Sequence, residues 1–254
     1  MFAPARSRYC LIPVPLTVPR LRLVCFAHAG AGASTYHPWA APLAASGIEV
    51  RSVQYPGRES RWGEPLLVSV DTMAEQALAR WLELAGDDDV PVVVYGHSMG
   101  VLIAYEMARR LSPGMKPVRH LVLGGRNPPH IPSLYPPIHH LPDDVFIRKV
   151  AERYQNLPAE ILADPDMLAL IIPVLKADFE MVDTYRITTP ESPPLEIPLT
   201  IVQGTDDPFT QSERLSDWAR YTHATCGVRR LAGGHFFHLK AVAPMVSLIR
   251  EISG

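Results

Sequence analysis

Cysteine is scarce in this chain: Cys10, Cys25 and Cys226 are the only three among 254 residues. They are too few and too scattered for a disulfide framework, and two sit in strand-like runs. They are expected to be free thiols of a cytoplasmic protein. Long apolar runs are missing as well. No stretch reaches the roughly 18 uninterrupted apolar residues of a membrane span, so no membrane association is expected. Prolines, Arg20 and Arg22 interrupt the apolar part of the N-terminal segment, which lacks the core of a secretory signal. An excess of one charge is absent too. With 24 basic and 26 acidic side chains the formal charge is -2, so no nucleic-acid footprint is implied. The phosphate-loop signatures G-x-G-x-x-G and G-x-x-x-x-G-K-[ST] do not occur. Neither do H-E-x-x-H or C-x-x-C, which leaves no metal pattern and no cofactor to expect.

What is present is an alternation. The runs 20–27, 48–55, 90–96, 118–125 and 197–204, with a weaker one at 226–233, favour Val, Ile and Leu. Some are apolar throughout, as strands covered on both faces by helices must be. The stretch 69–86 reads as one helix, with Met73, Ala77, Leu78, Trp81 and Leu82 on a stripe, Asp71 and Thr72 at its front and Gly86 closing it. Residues 100–111 place Leu102, Ala104, Tyr105, Ala108 and Leu111 on one apolar face, and Arg109 and Arg110 complement the dipole of the last turn. Two late helices are expected at 212–221 and 241–252. The pattern predicts an α/β fold with a mostly parallel central sheet flanked by helices, residues 1–254 forming a single domain.

Residues 126–195 break the alternation. A proline-rich connection, "RNPPHIPSLYPPIHHLP", is followed by three helical segments at 143–154, 158–164 and 165–186. Leu168, Ile171, Ile172, Leu175, Phe179 and Val182 make a broad apolar face on the last. Three helices between two strands suggest a lid over one end of the sheet. Leu168, Ile172, Leu175 and Phe179 are the expected contributors to a pocket beneath it, although some must pack lid helices together.

The stretch Gly96-His97-Ser98-Met99-Gly100 lies where a strand gives way to a helix. Two glycines give clearance for backbones to cross, and a serine between them projects as a nucleophile. A serine hydroxyl needs a base. Of ten histidines, His235 follows the last strand and the paired glycines 233–234, in a loop that can reach Ser98. His97 is expected to be structural, His238 to pack locally, and His139 and His140 to face solvent or the lid. The acid should end the preceding strand, where spacing alone leaves Asp206 and Asp207 open. Either choice gives the order Ser-Asp-His, as in α/β-hydrolases. The loop 26–34, "FAHAGAGAS", exposes backbone N–H groups; those of Ala29 and Met99 are the expected oxyanion donors.

With these residues placed, the chain resembles the type II thioesterases that accompany polyketide and nonribosomal peptide synthases. The stretches carrying the likeness are "RLRLVCFAHAGAGAS", "VQYPGRESR", "VVVYGHSMGVLIAYEMAR", "EILADPDMLALIIPVLKADFEMVDTYR", "IVQGTDDPF" and "LAGGHFFHL". The resemblance implies an α/β-hydrolase fold, Ser98 as nucleophile, His235 as base and Asp207, not Asp206, as acid. It implies a lid from about 143 to 186 that adapts to the acyl chain and guards entry of a phosphopantetheine arm. Its partners would be acyl or peptidyl carrier protein domains, met transiently by a monomer, with the phosphopantetheine belonging to the partner. Two departures stand out. Ala27-His28-Ala29 replaces a loop in which proline commonly follows the phenylalanine, and residues 155–157 read Gln-Asn-Leu where glycines are usual. The expected activity is hydrolysis of carrier-bound acyl thioesters. A carboxylesterase or lipase would use the same triad, and a noncatalytic carrier-binding protein would not need it. A synthase-fused cyclising enzyme is disfavoured because no carrier domain is evident.

Overall fold

All six apolar runs become strands of one sheet in the computed structural model, which describes residues 7–155, 157–187 and 193–254. They are β2 (Leu21–Phe26), β3 (Ile48–Val53), β4 (Val92–His97), β5 (His120–Gly124), β6 (Leu199–Gly204) and β7 (Cys226–Leu231), preceded by a short β1 (Cys10–Leu11). The order across the sheet is β1-β3-β2-β4-β5-β6-β7, parallel throughout except for β1 against β3. Two residues just ahead of a proline-rich stretch carry no periodic signal, so β1 has no signature in the sequence. β2, β4 and β6 are buried at every position, as expected of strands covered on both faces. β7 is half exposed, with Arg229 and Arg230 outward, as suits an edge strand.

The expected helix 69–86 is interrupted. α2 (Val70–Ala79) and α3 (Trp81–Ala85) meet at Arg80, whose φ of -109° and ψ of 13° leave the helical region. Leu82 consequently turns outward and is 59% exposed. Ser69, rather than a residue further in, caps α2 through the N–H of Thr72. α1 (His37–Ala44) packs on β3 and on the last helix, α9 (Val242–Ser253), which a single turn, α8 (Phe237–Lys240), precedes. The segment 212–221 forms a 3-10 helix at Leu215–Tyr221.

α4 (Met99–Arg109) departs from the one-sided pattern expected of it, because it is buried from Met99 to Ala108. Even Glu106 is fully buried. Its carboxylate accepts from Arg109, Arg110 and the Tyr185 hydroxyl, which satisfies a charge that would otherwise be costly inside the protein.

Between β5 and β6 lie α5 (Asp143–Tyr154), α6 (Ala159–Leu162) and α7 (Pro165–Thr184). Ile138, Phe146, Ile147, Val150, Ile172, Leu175 and Phe179 form a second apolar cluster beside the main core. The proline-rich connection is pinned to α7 by Asp183, whose carboxylate accepts from the N–H groups of Ile138 and His139 and pairs with the His139 ring. α7 runs through Pro173, which cannot donate to the carbonyl four residues back. No described helix is long and apolar enough to cross a membrane.

The sheet order fixes where a site can form. From β2 the chain crosses to β3 on one side, and from β4 it crosses to β5 on the other. The carboxyl ends of β2 and β4 therefore flank the crevice at which such sheets bind ligands. Phe26 pairs with Gly96 at that end, so the loop 27–34 and the Ser98 turn emerge side by side.

Candidate active site

Ser98 occupies the single residue between β4 and α4, with φ 52° and ψ -109°. A serine at positive φ is strained and persists only where its surroundings impose the turn. Backbone proximity imposes it here. A Cβ on Gly96 would lie 2.4 Å from the Gly100 carbonyl oxygen, and one on Gly100 would lie 2.1 Å from that of Phe26. The Ser98 N–H donates to Gly124 O at 2.8 Å, which locks the turn against β5.

The structure brings Ser98, His235 and Asp207 together. His235 Nε2 is 3.0 Å from Ser98 Oγ, and its Nδ1 is 3.2 and 3.1 Å from the two Asp207 oxygens. Asp207 accepts only, so Nδ1 carries the proton and Nε2 is left to accept from the serine. Asp207 is itself fixed by the Phe209 N–H on Oδ1 at 2.9 Å. Asp206 is exposed, and its side chain meets only the Thr205 hydroxyl among the described residues. The imidazole of His235 sits among Phe209, Phe236 and Tyr154, with ring centres 4.8, 5.1 and 5.7 Å away. Tyr154, from α5, stacks on Phe209 at 4.4 Å.

Ser98 and His235 open into a cavity of about 400 Å³ whose walls include Ala29, Val150, Tyr154, Val174, Leu175 and Phe179. The four residues expected to form it divide. Leu175 and Phe179 line it; Leu168 and Ile172 do not. Ile172 is buried against the α5 cluster and Leu168 packs on its edge. Leu168, Ile172, Leu175 and Phe179 share one stripe of α7 at about 100° per residue, so angular position alone does not separate the two that reach the cavity from the two that only pack on the α5 cluster. Of the triplet 155–157, Asn156 lies outside the described residues; Leu157 lines the cavity.

The loop carrying Ala29 is held from α7. Asp178, fully buried, accepts the Gly30 N–H on Oδ2 at 2.7 Å and both arms of the Arg58 guanidinium at 2.7 and 2.8 Å. Arg58 also reaches the Ala31 carbonyl at 3.2 Å. Gly30 has φ +79°, and a Cβ there would meet Leu175 Cδ2 at 2.6 Å. Asp178 thus fixes the peptide next to Ala29, while Met99 opens α4, where helical N–H groups have no internal acceptor. Ala29 lines the same cavity as Ser98, and Met99 follows the serine directly. Sequence reasoning missed Arg58 and Asp178, because 120 residues separate them.

Behind the triad lies a group of neutral histidines. The His235 carbonyl accepts from His97 Nε2 at 2.8 Å, which leaves His97 Nδ1 to accept the Tyr95 hydroxyl proton at 3.0 Å. His97 thereby steadies the base. His238 stacks on His97 at 3.6 Å and, like His28, is buried. Neither ring nitrogen of His238 has a hydrogen-bond partner among the described residues. Burial, reinforced by the neighbouring histidines, pushes His97 and His238 well below the ordinary value of 6.5 and His28 down to about 3. His139 faces α7 through Asp183.

Chemically, the assembly can form a covalent intermediate: a base oriented by a buried carboxylate, a projecting hydroxyl, and N–H donors beside it. A family model described as "Thioesterase domain" matches residues 21–253. The chain is 37% identical over 231 residues to the "Probable cadicidin biosynthesis thioesterase" of Streptomyces griseus, covering 90% of this chain and 62% of that protein's length. It is 33% identical to "Gramicidin S biosynthesis protein GrsT" of Aneurinibacillus migulanus, covering 91% of this chain and 88% of that one. Among solved structures it is similar to the type II thioesterase BorB from the borrelidin biosynthetic cluster, with a TM-score of 0.83 at 26% identity over 98% of each chain. YbtT, the type II thioesterase from the Yersiniabactin NRPS/PKS pathway, superposes with a TM-score of 0.82 at 25% identity, covering 95% of this chain and 97% of its own.

Two outcomes follow from this geometry. An organophosphorus probe should label the protein at Ser98. Labelling should vanish in Ser98→Ala, fall on the order of a hundredfold or more in His235→Ala and Asp207→Asn, and stay near wild type in Asp206→Asn. Intact-mass kinetics check this, and the acid is misassigned should Asp206→Asn be the crippling change. The buried histidines set the acid behaviour. Their folded pKa values are depressed, so their stabilisation is complete above the unfolded value of 6.5 and is lost progressively as pH falls below it. His238→Phe removes one such group, and urea midpoints from neutral pH downward should fall less steeply than in the wild type.

Proposed function

The chain belongs to the thioesterase family, and on that premise we propose that it hydrolyses acyl thioesters held on the phosphopantetheine arm of acyl or peptidyl carrier proteins. Such an activity would release aberrant or stalled intermediates of polyketide or nonribosomal peptide synthesis. The observation that carries the reading is the Ser98–His235–Asp207 alignment opening onto an apolar cavity of about 400 Å³. A cavity of that size and lining suits an acyl chain.

In this mechanism Ser98 Oγ attacks the thioester carbonyl while His235 Nε2 takes the hydroxyl proton. The oxyanion is received by the N–H groups of Ala29 and Met99. As the tetrahedral species collapses, the C–S bond breaks and His235 returns its proton to the departing thiol. Water then enters, loses a proton to His235 and attacks the acyl-serine. The free acid leaves and Ser98 regains its proton. Asp207 holds the imidazole tautomer throughout and stabilises its charged form.

Carrier docking belongs at the cavity mouth, since a flexible arm must reach Ser98 from a bound protein. Trp62, Met167 and Leu170 line the cavity and are 60%, 38% and 48% exposed, which supports a contact there. Docking of this kind is transient and leaves a monomer between encounters. The primary test compares one acyl group presented on a carrier, on a small thiol and as an oxygen ester. Carrier-bound thioester should have the highest kcat/KM; equal rates for all three would remove the carrier and thioester assignment.

α7 generates a second test. Phe179→Leu and Leu175→Ala alter the cavity wall and should change kcat/KM ratios among short, branched and longer acyl groups by about tenfold. Ile172→Ala should instead cost about 2–5 kcal/mol of stability with those ratios nearly fixed. Rates for an acyl panel, measured beside urea midpoints, separate the two. Identical ratios in all three variants would make α7 a buttress only.

A further inference from the structure

Arg126 stands apart from the other cations of this site. Arg58 is neutralised by Asp178. Arg153 donates to the Pro136 carbonyl at 3.1 Å and lies 5.2 Å from the Tyr135 ring. The Arg126 side chain makes no hydrogen bond or ion pair among the described residues. The carboxylate that bears on it electrostatically, Asp183, is already occupied by Ile138 and His139. Its backbone is nevertheless fixed: Trp218 Nε1 donates to the Arg126 carbonyl at 3.2 Å.

Its position is as unusual as its lack of a partner. Arg126 comes two residues after Gly124, the residue whose carbonyl accepts the Ser98 N–H. It lines the apolar cavity and also a second cavity that shares Ser98 and His235 and runs past Ile131 and Tyr135. It further lines a third space along the proline-rich segment, of about 490 Å³, bounded by Tyr185 and Arg186. Only Arg126 and Val182 are common to all three among the described residues. A guanidinium taken partly out of water, with only the already engaged Asp183 carboxylate nearby, is costly, and burial lowers its proton affinity. Such a group is satisfied when an anion enters beside it.

We propose that Arg126 is the receptor for an oxyanion of the substrate, either a carboxylate on the acyl group or the phosphate of the phosphopantetheine arm. The inference rests on the thioesterase reading above. A guanidinium presents paired N–H donors that fit the two oxygens of a carboxylate or a phosphate, and a site with low water content strengthens the contact. The acyl chain and the arm leave the thioester carbonyl in opposite directions. The junction of the cavities is where one residue can serve either branch.

The experiment uses four small thioesters: acetyl and malonyl groups, each on pantetheine and on 4′-phosphopantetheine. They are compared in the wild type, Arg126→Gln and Arg126→Lys. Arg126→Gln should lower kcat/KM about tenfold or more on the anionic substrates beyond any loss on acetyl-pantetheine, and Arg126→Lys should recover part of that difference. A loss confined to malonyl substrates names the carboxylate as the ligand; one confined to phosphopantetheine substrates names the phosphate. Equal losses on all four overturn the proposal. A measurement free of any substitution accompanies it. Malonate should inhibit the wild type about tenfold more tightly than neutral malonamide, or phosphopantetheine more tightly than pantetheine. If neither anion gains, Arg126 is no receptor. Absence of hydrolysis of every thioester by the wild type would instead remove the functional reading itself.

Discussion

The loop after β2 hangs from a helix 148 residues further along the chain, because the Asp178 carboxylate accepts both the Gly30 N–H and the Arg58 fork. A buried carboxylate in this position cannot be lost cheaply. Removing one partner of such a pair costs about 3–5 kcal/mol, since the other charge is stranded. The clamp joins three segments that the sheet alone would not hold together: the loop bearing Ala29, the turn after β3, and α7. Leu175 presses on Gly30 beside it. The wall of the cavity and the peptide next to the proposed oxyanion donor Ala29 therefore share one anchor. Whatever fills the cavity bears on that anchor as well.

The reactive centre divides its surroundings by polarity. On one side of Ser98 lie Val150, Val174 and Leu175; on the other lie Asn127, Ser133, Arg153 and Asp183; Phe179 borders both. A thioester has the same asymmetry, with an acyl chain on the carbonyl carbon and an amide-rich arm on the sulfur. Aromatic rings from α5 and from the loops after β6 and β7 crowd the imidazole. They limit the water around the His235–Asp207 contact, and in a medium of low dielectric that contact is stronger.

Much of this was legible in the chain, for identifiable reasons. Strands buried on both faces announce themselves as Val, Ile and Leu runs, and Gly96 and Gly100 mark a backbone crossing that admits no side chain. What stayed hidden shares another character. β1 has two residues and no period. The break at Arg80 carries no glycine or proline to signal it. On α7, Leu168, Ile172, Leu175 and Phe179 lie on one apolar stripe, so its period could not tell Leu175 and Phe179, which reach the cavity, from Leu168 and Ile172, which do not. Asp178, Arg58 and Arg126 read as ordinary charges until folding sets them side by side or leaves one of them alone. Pairwise meetings of distant polar residues have no local signature.

The edge strand has a consequence for the order in which the protein becomes active. His235 lies 137 residues beyond Ser98 and follows β7, the outermost strand of the sheet. A chain growing from its N-terminus completes the elbow, the loop after β2 and the α7 segment before its base exists. Until β7 pairs with β6, Ser98 is an ordinary alcohol with no proton acceptor beside it. On the proposed mechanism, hydrolytic competence therefore arrives with the last strand, and a nascent chain gains it only once its sheet is closed on that side.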